Sequence, residues 1–475
     1  MGNVSLIYLA VLVPVIGSFL LPLLGRISEV LRNVVALVLI SVSLLCSLIL
    51  VPEVMSGTPI SVPSQMLGMT LFYADCLAVF MAIVSSLIGA VIVFYSWGYI
   101  SHYEHRDEYY LMVLLFLGAM MGIIFARNLI ILYVFYEITG IASWRLIGFF
   151  REKKHVINAD KSFLVTVFGA LLMLIGFLAV YGETGTFDLG VIHKANISNV
   201  AVLLILFGIL SKSATLPLHT WLPDAGVAPS PVTALLHAAV LVKIGVYVYA
   251  RLFLASMSID EIWQTVVPVI AAASALISAG AALIDTDMKR IIAFSTISQI
   301  GFIFLGLAVN NEVAIAGGLL YILMHGLAKG GLFLCAGIVE QNAKTKDITQ
   351  MGGLFKTMPV TAVAFLFCAF SVMGIPPFGG FFSKYLVISG ALNSGHLYIT
   401  ITFILGAFLT IIYLFRLVTM IFMGEIKTPQ AREGSLSMLI SVVILAVLSM
   451  AAGIFINIPS EFVQSTVQQM MGMGQ

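Results

Sequence analysis

Charged residues are scarce in this chain of 475 residues, since Asp, Glu, Lys and Arg make up only 9% of it. Soluble domains carry about 25% of these residues, so the composition excludes a soluble globular fold. The few charges nearly cancel, with 23 Lys and Arg against 22 Asp and Glu. A net charge of +1 gives no electrostatic reason to expect nucleic acid or an acidic substrate as a partner.

Cysteine is also rare, and its four copies lie singly in apolar runs. None belongs to a CxxC pair or lies beside a cluster of histidines, so the sequence indicates neither a metal site nor a disulfide framework. We interpret all four as small apolar residues: Cys46, Cys76, Cys335 and Cys368.

Apolar residues dominate instead, at 61% of the chain, with a mean hydropathy of +1.10. A helix needs about 20 predominantly apolar residues to cross a bilayer. The first stretch lacks a preceding basic region and a small-residue cleavage site, so we expect a retained helix rather than a signal peptide. We predict an all-α integral membrane protein with about fourteen transmembrane helices, at residues 5–24, 31–51, 74–99, 109–126, 128–150, 161–182, 200–222, 231–255, 263–284, 289–309, 313–340, 359–391, 397–423 and 436–457.

The basic residues in the loops between these stretches, counted together with those within about four residues of a predicted helix end, are distributed unevenly. Three lie in one set of alternate loops, namely Arg127, Lys194 and Arg251. Because basic loops stay on the cytoplasmic side, we expect both termini outside, in the inner or plasma membrane of a prokaryote. The other set of loops holds fourteen: Arg26, Arg32, Arg106, Arg151, Lys153, Lys154, Lys161, Lys289, Arg290, Lys344, Lys346, Lys356, Lys427 and Arg432.

The remaining six basic residues fall inside predicted crossings. A charge at mid-membrane costs a few kcal/mol, and such residues usually line a hydrated or ion-conducting interior. Arg416 and Arg145 have an alternative, because their long side chains can reach an interface. The other four are too far from an interface or lie beside a helix break: Lys212, Lys243, Lys329 and Lys384.

Glu137 is the only carboxylate that the sequence places well within a crossing. One glutamate among several lysines predicts one ion pair and a row of titratable amines. Removing one partner of a buried ion pair costs about 3–5 kcal/mol, so movement of Glu137 relative to Lys212 would switch that lysine between holding and releasing a proton. In the alternative, Glu137 only joins two helices, which leaves at least three costly lysines unexplained.

Two of the predicted helices that carry these lysines also contain prolines, in KSATLPLHTWLPD and in GIPPFGGFFSK. Proline removes a backbone donor and clashes with the preceding turn, so both helices should be interrupted. Two proline-broken helices in corresponding places predict inverted repeats around an ion site. We therefore predict one membrane domain, 1–475, made of three N-terminal helices (1–108), a five-helix repeat (109–256), an inverted second repeat (263–423) and a C-terminal helix (436–457).

Histidines accompany these lysines. His325 lies four residues before Lys329 and so shares its helix face. His237 and His219 are further candidates for a proton relay, although a buried histidine is also an ordinary hydrogen-bonded core residue. Sodium prefers oxygen ligands, as other hard cations do, whereas this interior is net positive. We therefore favour protons as the ion that passes through this chain, with any sodium passing through a partner subunit.

These residues lie in segments that together resemble one known family. It comprises the antiporter-like, proton-conducting membrane subunits of respiratory complex I, of Mrp-type sodium/proton antiporters and of energy-converting membrane-bound hydrogenases. The resemblance extends from about Asp75 to Arg416 and is specific only in combination. Its motifs are FYEITGIASWRLIGF, KSATLPLHTWLPDA, SPVTALLHAAVLVKIGVY, TDMKRIIAFSTISQIGF, HGLAKGGLF and GIPPFGGFFSK.

The resemblance implies a fourteen-helix bundle with a central hydrophilic axis of two half-channels, through which one proton passes per cycle. In some relatives the last position of this axis is a glutamate. Carried over by position, it assigns proton translocation to the helix-five Glu137, the helix-seven Lys212, the helix-eight Lys243, the helix-eleven His325 and Lys329, and the helix-twelve Lys384.

Two features depart from the family pattern. Arg145 stands where an apolar residue is expected, which predicts an altered contact near the inner end of helix five. The chain also ends soon after its last predicted crossing, so we expect it to lack the long lateral helix of the largest complex I sibling.

We therefore predict a proton-translocating, antiporter-like subunit of a multi-subunit, redox-driven membrane ion pump. Its partners would be other membrane subunits, including antiporter-like paralogues, and a soluble redox arm. The alternative is a subunit of an Mrp-type sodium/proton antiporter. Nothing in the sequence resembles a flavin, quinone, nickel or iron–sulfur site, so we expect no cofactor, and electron transfer would belong to partner chains. A solute permease or a passive scaffold would leave the four lysines inside the crossings unexplained.

Overall fold

α-Helices account for most of the structure. The computed structural model describes residues 2–64, 69–395 and 397–472. Within these ranges lie twenty α-helices: α1 Asn3–Ser18, α2 Leu21–Ile27, α3 Glu29–Met55, α4 Cys76–Tyr99, α5 Arg106–Phe125, α6 Leu129–Ile147, α7 Lys153–Thr184, α8 Leu189–Ile192, α9 Asn199–Lys212, α10 Trp221–Asp224, α11 Ser230–Ala234, α12 Leu241–Tyr249, α13 Trp263–Ile284, α14 Met288–Ala308, α15 Glu312–Ala343, α16 Pro359–Met373, α17 Gly379–Asn393, α18 Leu397–Phe422, α19 Leu436–Ile454 and α20 Asn457–Met471.

Two pairs of short strands mark one end of the bundle, which we call the hairpin face. β1 (Ile60–Ser64) pairs antiparallel with β2 (Met69–Ala74) just before α4. β3 (Ala195–Asn196) pairs parallel with β4 (Met257–Ser258). Isolated bridges join β2 to the segment before α6, and that segment to the one before α8. The loops at this end are therefore fastened to one another by backbone hydrogen bonds.

Ion pairs fasten the other end, which we call the basic face because it carries most of the loop Lys and Arg residues. Asp224 accepts hydrogen bonds from Lys161 of α7 and from Arg290 of α14, each at 2.7 Å. A backbone bridge joins Asp287, before α14, to Asp347, after α15. These contacts hold α7, α14 and α15 together around α10 at this end of the bundle.

Within the described residues, eleven helices are long and apolar enough to cross a membrane, or twelve if α1 and α2 form one span bent by 53°. Two shorter apolar helices, α9 and α16, end at interruptions. α7 begins eight residues earlier than the predicted stretch 161–182, because its first turns are polar. The amphipathic α20 follows the last predicted crossing and is a helix that the hydropathy pattern did not indicate.

The two lysine-bearing helices with prolines are interrupted, as the sequence predicts. α9 ends at Lys212, and the chain then passes through a cis bond between Leu216 and Pro217. α16 ends at Met373, and α17 begins at Gly379 after a cis bond between Pro376 and Pro377. Each interruption places a lysine beside irregular backbone inside the protein.

The apolar stretch 231–255 is less regular than predicted. It consists of α11, a π-helical segment Leu235–Ala239, α12 and a second π-helical segment Ala250–Leu254. No proline or glycine marks the first π-helical segment. Short π-helical turns inside α-helices occur often at functional sites, and these two segments flank the helix that carries Lys243.

The helices form a buried centre and a partly exposed periphery. The span Ser230–Leu254, α14 and α15 are buried by other helices almost throughout. By contrast, α3, α7, α18 and α19 leave many large apolar side chains exposed, which suits contact with lipid. Charged residues on the central helices are therefore shielded from lipid by protein.

Candidate functional site

Four lysines that the sequence places inside crossings lie inside the protein. Their exposed fractions are 1% for Lys212, 0% for Lys243 and Lys329, and 5% for Lys384. They are carried by α9, α12, α15 and α17, respectively. We call these four residues the lysine row.

Lys212 lies beside α6, which carries Glu137. Its Nζ donates a hydrogen bond to the Tyr136 carbonyl at 3.1 Å and lies 4.3 Å from the centre of the Tyr136 ring. A Cβ built on Gly140 would lie 3.3 Å from Lys212 Nζ and 3.9 Å from Glu137 Oε2, so both groups face the same small space. Yet Glu137 Oε1 has no hydrogen-bond partner among the described residues. Within the described chain the predicted contact ion pair between Glu137 and Lys212 is therefore open, and Lys212 bonds to the Tyr136 carbonyl instead.

Lys243 reaches from α12 to α15. A Cβ on Gly326 would lie only 2.6 Å from Lys243 Nζ, so the amine fits because position 326 has no side chain. His325, the preceding residue, is 1% exposed. Within the described chain, neither Lys243 Nζ nor either ring nitrogen of His325 has a hydrogen-bond partner. The structure thus brings a buried amine and a buried imidazole to the same turn of α15.

Lys329 is held by α14. Its Nζ donates hydrogen bonds to Ser295 Oγ at 2.5 Å and to the Ile292 carbonyl at 3.2 Å. Ser295 Oγ in turn lies 2.7 Å from Tyr413 Oη on α18. Lys329 therefore begins a hydrogen-bonded chain of neutral polar groups.

This chain continues towards Lys384. Gln299 Nε2 donates to Tyr413 Oη at 3.3 Å, and Gln299 Oε1 accepts from Tyr321 Oη at 2.6 Å. Lys384 Nζ lies 5.9 Å from the centre of the Tyr321 ring and donates to the Val372 carbonyl at 2.7 Å. Sequence reasoning missed the linking residues. The signal available was the polar pair Ser295 and Gln299, one turn apart in an apolar helix.

The two candidate relay histidines occupy different places. His237 lies in the first π-helical segment, and its ring centre is 4.4 Å from that of Phe333 on α15. Both its ring nitrogens are buried without a partner among the described residues. His219 is only partly buried, and the next residue, Thr220, accepts a hydrogen bond from Lys161 of the basic face. His237 thus accompanies the lysine row, and His219 lies towards the solution.

Arg145 and Arg416, the two arginines that the sequence places well inside crossings, lie apart from the lysine row. Arg145 donates to the carboxylate of Glu108 on α5, which Arg151 also contacts at 2.6 Å. Arg416 donates to the carbonyls of Leu283 and Asp285 at the end of α13. Both arginines therefore reach helix ends with their long side chains, and the altered contact predicted for Arg145 is an ion pair.

Comparison with known proteins defines the class to which this architecture belongs. Residues 126–410 match the family model described as NADH:quinone oxidoreductase/Mrp antiporter, TM. The chain is 35% identical to the Na(+)/H(+) antiporter subunit A1 of Staphylococcus haemolyticus (strain JCSC1435), over 98% of this chain and 62% of the relative. It is 33% identical to the subunit of the same name from Staphylococcus aureus, over 95% of this chain and 61% of the relative. The chain therefore belongs to the NADH:quinone oxidoreductase/Mrp antiporter family, and it spans about three fifths of the length of these relatives.

Solved structures share its fold. A chain of the Mrp complex from Dietzia sp. DQ12-45-1b superposes with a TM-score of 0.92 at 25% identity, covering 100% of this chain and 98% of that one. A chain of the membrane-bound sulfane sulfur reductase, an archaeal respiratory membrane complex, superposes with a TM-score of 0.91 at 24% identity, covering 98% and 97%. The second likeness shows the fold alone. This chain is accordingly a multi-span, antiporter-like membrane protein.

Proposed function

We propose that this chain is the proton-conducting subunit of an Mrp-type sodium/proton antiporter. Protons would move through Glu137, Lys212, Lys243, His325, Lys329 and Lys384, with His237 beside them. The names of the relatives reported above favour this antiporter, which is the alternative of the sequence analysis, over the redox-driven pump that the sequence analysis puts first. The respiratory complex among the structural neighbours supports the fold only.

The observation that carries the proposal is the set of buried titratable groups without protein partners. Buried polar groups in folded proteins are almost always hydrogen-bonded, yet Lys243 Nζ and all four ring nitrogens of His237 and His325 have no partner among the described residues. A purely structural role for these side chains would not offset the free-energy cost of burying them without hydrogen bonds. Water, or a proton passing between these groups, supplies the missing partner in our proposal.

The energies involved match ion pumping. Moving one charge against 100 mV requires about 2.3 kcal/mol, and uncoupling a buried ion pair costs about 3–5 kcal/mol. In our proposal Lys212 exchanges its bond to the Tyr136 carbonyl for contact with Glu137, whose Oε1 has no partner within the described chain. Closure of that pair would hold the proton on Lys212, and opening would release it towards Lys243.

We also propose fourteen crossings in two inverted repeats. The count follows if α1 with α2 is one span and if the interrupted helices that begin with α9 and with α16 each cross once. The repeats would be 109–256 and 263–423, after three helices in 1–108 and before the C-terminal helix 436–457. The two interrupted helices, each with a buried lysine, support this division.

The basic face would lie in the cytoplasm, because it carries most of the loop Lys and Arg residues. Both termini would then lie outside the plasma membrane. Partners in this proposal are further membrane subunits, and sodium crosses through one of those chains because the interior of this chain is net positive. A soluble redox arm belongs only to the redox-driven alternative.

Reconstitution distinguishes the two functions. The complex should be purified through this chain and placed in vesicles without any electron donor. Under the antiporter proposal, an imposed sodium gradient drives proton movement that a pH-sensitive dye reports, and Lys212→Ala abolishes it without loss of assembly. If proton movement instead requires an electron donor, and iron–sulfur proteins copurify, the redox-driven function is correct and the antiporter proposal is wrong.

A further inference from the structure

A second charged cluster lies at the basic face, outside the lysine row. Glu340, near the end of α15, accepts hydrogen bonds from Lys289 Nζ at 2.8 Å and from Lys346 Nζ at 3.0 Å. Its Oε2 also accepts from Ser230 Oγ, at the start of α11, at 3.2 Å. Ser230 Oγ in turn accepts from Tyr99 Oη of α4 at 3.4 Å. Glu340 therefore joins groups from four separate segments.

Exposure within this cluster decreases inwards. The side chain of Lys346 is 34% exposed, that of Glu340 is 20% exposed, and that of Lys289 is 2% exposed. Ser230 is fully buried. The Glu340 carboxylate therefore contacts a solvent-exposed partner, Lys346, on one side and buried partners, Lys289 and Ser230, on the other.

One face of α15 connects Glu340, at the basic face, with Lys329 of the lysine row. Gly337, Phe333 and Lys329 follow at helical spacing, and the eleven residues from Glu340 to Lys329 rise by about 16 Å. A Cβ on Gly337 would lie 2.7 Å from Tyr95 Oη and 2.9 Å from Ser230 Oγ, so two hydroxyls lie against this bare position. One turn further in, Phe333 packs on the ring of His237.

Helix α11 and the π-helical segment after it pack against this face of α15. We call the space between them, from Glu340 to Lys329, the column. Ser230 begins α11 and His237 lies in the π-helical segment that follows it, and both contact α15, Ser230 at Glu340 and His237 at Phe333. Ser230 lies at the Glu340 end of this column, whereas His237 lies at Phe333, one helical turn from Lys329. Polar groups of the described residues therefore recur along this column from the basic face to the buried histidine.

We propose that Glu340 is the proton-uptake site of this chain, and that protons pass from it along Ser230 to His237 and the lysine row. This inference rests on the proposed function. The Glu340 carboxylate takes a proton from water at the basic face and becomes neutral, while Lys289 and Lys346 stay protonated. It then gives the proton to a water chain beside Ser230 and regains its charge. His237 receives that proton on a ring nitrogen.

The test uses the reconstituted intact complex with a pH-sensitive dye, and it measures the initial rate of proton uptake from the basic face. Glu340→Gln keeps the shape of the side chain but removes the proton acceptor, so we expect a rate at least about tenfold lower. Glu340→Asp keeps the carboxylate and should restore most of the rate. The charged and titratable groups around the carboxylate are Lys289, Lys346, Tyr95 and Tyr99, and these remain in both variants.

Glu108→Gln is the matched control. Glu108 is also a basic-face carboxylate bound by two cations, Arg145 and Arg151, but it belongs to a different cluster from Ser230 and His237. Its substitution should leave the uptake rate unchanged. The rate in Glu340→Gln should also rise more steeply with proton concentration at the basic face than the wild-type rate, which a purely structural loss would not produce.

Three results are informative. A slow Glu340→Gln with a restored Glu340→Asp and a normal Glu108→Gln supports the uptake site. A normal rate in Glu340→Gln, in a complex that Lys243→Ala inactivates, overturns the uptake site and leaves the proposed function standing. A normal rate in Lys243→Ala overturns both.

Discussion

At the scale of single residues, Lys243 has the most costly position in the lysine row. Its amine is fully buried and lacks a hydrogen-bond partner among the described residues. An unsatisfied buried polar group costs about 1–3 kcal/mol, so Lys243→Met should raise the free energy of unfolding by about that amount. Thermal unfolding in detergent measures the change.

The control for this stability prediction is Lys289→Met. Lys289 is also buried, but it pairs with Glu340 at 2.8 Å. Its removal leaves the Glu340 carboxylate with only the partly exposed Lys346 and should lower the free energy of unfolding by about 3 kcal/mol, the lower end for a broken buried ion pair. A Lys243→Met protein that is less stable than wild type would show that the amine holds the fold together.

Gly326 gives a second test at this scale, because a side chain there would collide with Lys243. A Cβ at this position would lie 2.6 Å from both Lys243 Nζ and Ile88 Cδ1. Gly326→Ala should therefore displace the amine and lower proton flux by about tenfold. Gly330→Ala, one turn along α15, has no Cβ contact closer than 3.2 Å, and its three nearest atoms belong to apolar side chains. Equal flux in the two variants would contradict the role of Lys243.

Glu137 is tested by removing its charge alone. Glu137→Gln should leave the complex assembled, because Glu137 Oε1 has no hydrogen bond to lose within the described chain. Proton flux should nevertheless fall severely, since the neutral amide no longer attracts the Lys212 ammonium. Flux assays on the purified variant complex give the answer, and wild-type flux would discredit the switching role.

The sequence predicts these charged residues well, because a charge in an apolar stretch is conspicuous. It does not predict the neutral link between Lys329 and Lys384. Ser295, Gln299 and Tyr413 are common residue types in helices, and only the packing of α14 against α18 brings them together. Nor does sequence spacing show that the Tyr136 carbonyl takes the place of Glu137 beside Lys212.

At the scale of secondary-structure elements, one ion pair fastens the start of α4 to the end of the span that carries Lys243. Asp75 accepts two hydrogen bonds from Arg251, at 2.6 and 2.7 Å, and both side chains are largely buried. Burial raises the pKa of the Asp75 carboxyl, but the Arg251 charge and hydrogen bonds from Arg251 and the Ala78 backbone outweigh it and lower the pKa. The ionised carboxylate therefore stabilises the fold above its ordinary pKa, and this contribution is lost as pH falls through the lowered pKa.

Asp75→Asn should accordingly lower the free energy of unfolding by about 3–5 kcal/mol near neutral pH. The difference from wild type should shrink as the pH falls below about 3.9, the ordinary pKa of aspartate. Thermal unfolding of both proteins across this pH range measures it. Glu29→Gln disrupts the exposed pair with Arg106 and should change stability by less than about 1 kcal/mol. Equal effects of the two substitutions would contradict the account of Asp75.

The predictability of an element depends on whether its cause is local. Proline explains the interruptions after α9 and α16, so the sequence indicates both. The π-helical segments around α12 have no such local signal, because neighbouring helices decide whether a turn widens. Hydropathy did not predict α20, because polar residues alternate with apolar ones in this helix and only one of its faces is buried.

At the scale of the whole molecule, the periphery, the two faces and the centre of the bundle carry different kinds of side chain. Apolar side chains cover the periphery, ion pairs fasten both faces, and the centre of the described chain holds an amine and imidazoles without hydrogen-bond partners. Hydropathy and loop charge predict the first two features. The family motifs indicate the third, but they do not separate an antiporter from a redox-driven pump, because the coupling chemistry lies in partner chains. The relatives named as antiporter subunits favour the former.

Proton flux through the intact complex with Lys243→Met tests the central claim most directly. The variant retains much of the length of the side chain and removes the group that carries a proton. Flux reported by a pH-sensitive dye should fall to about a tenth or less of the wild-type rate, in a complex with its full set of subunits. A fully assembled Lys243→Met complex that moves protons at the wild-type rate would show that protons do not follow the lysine row.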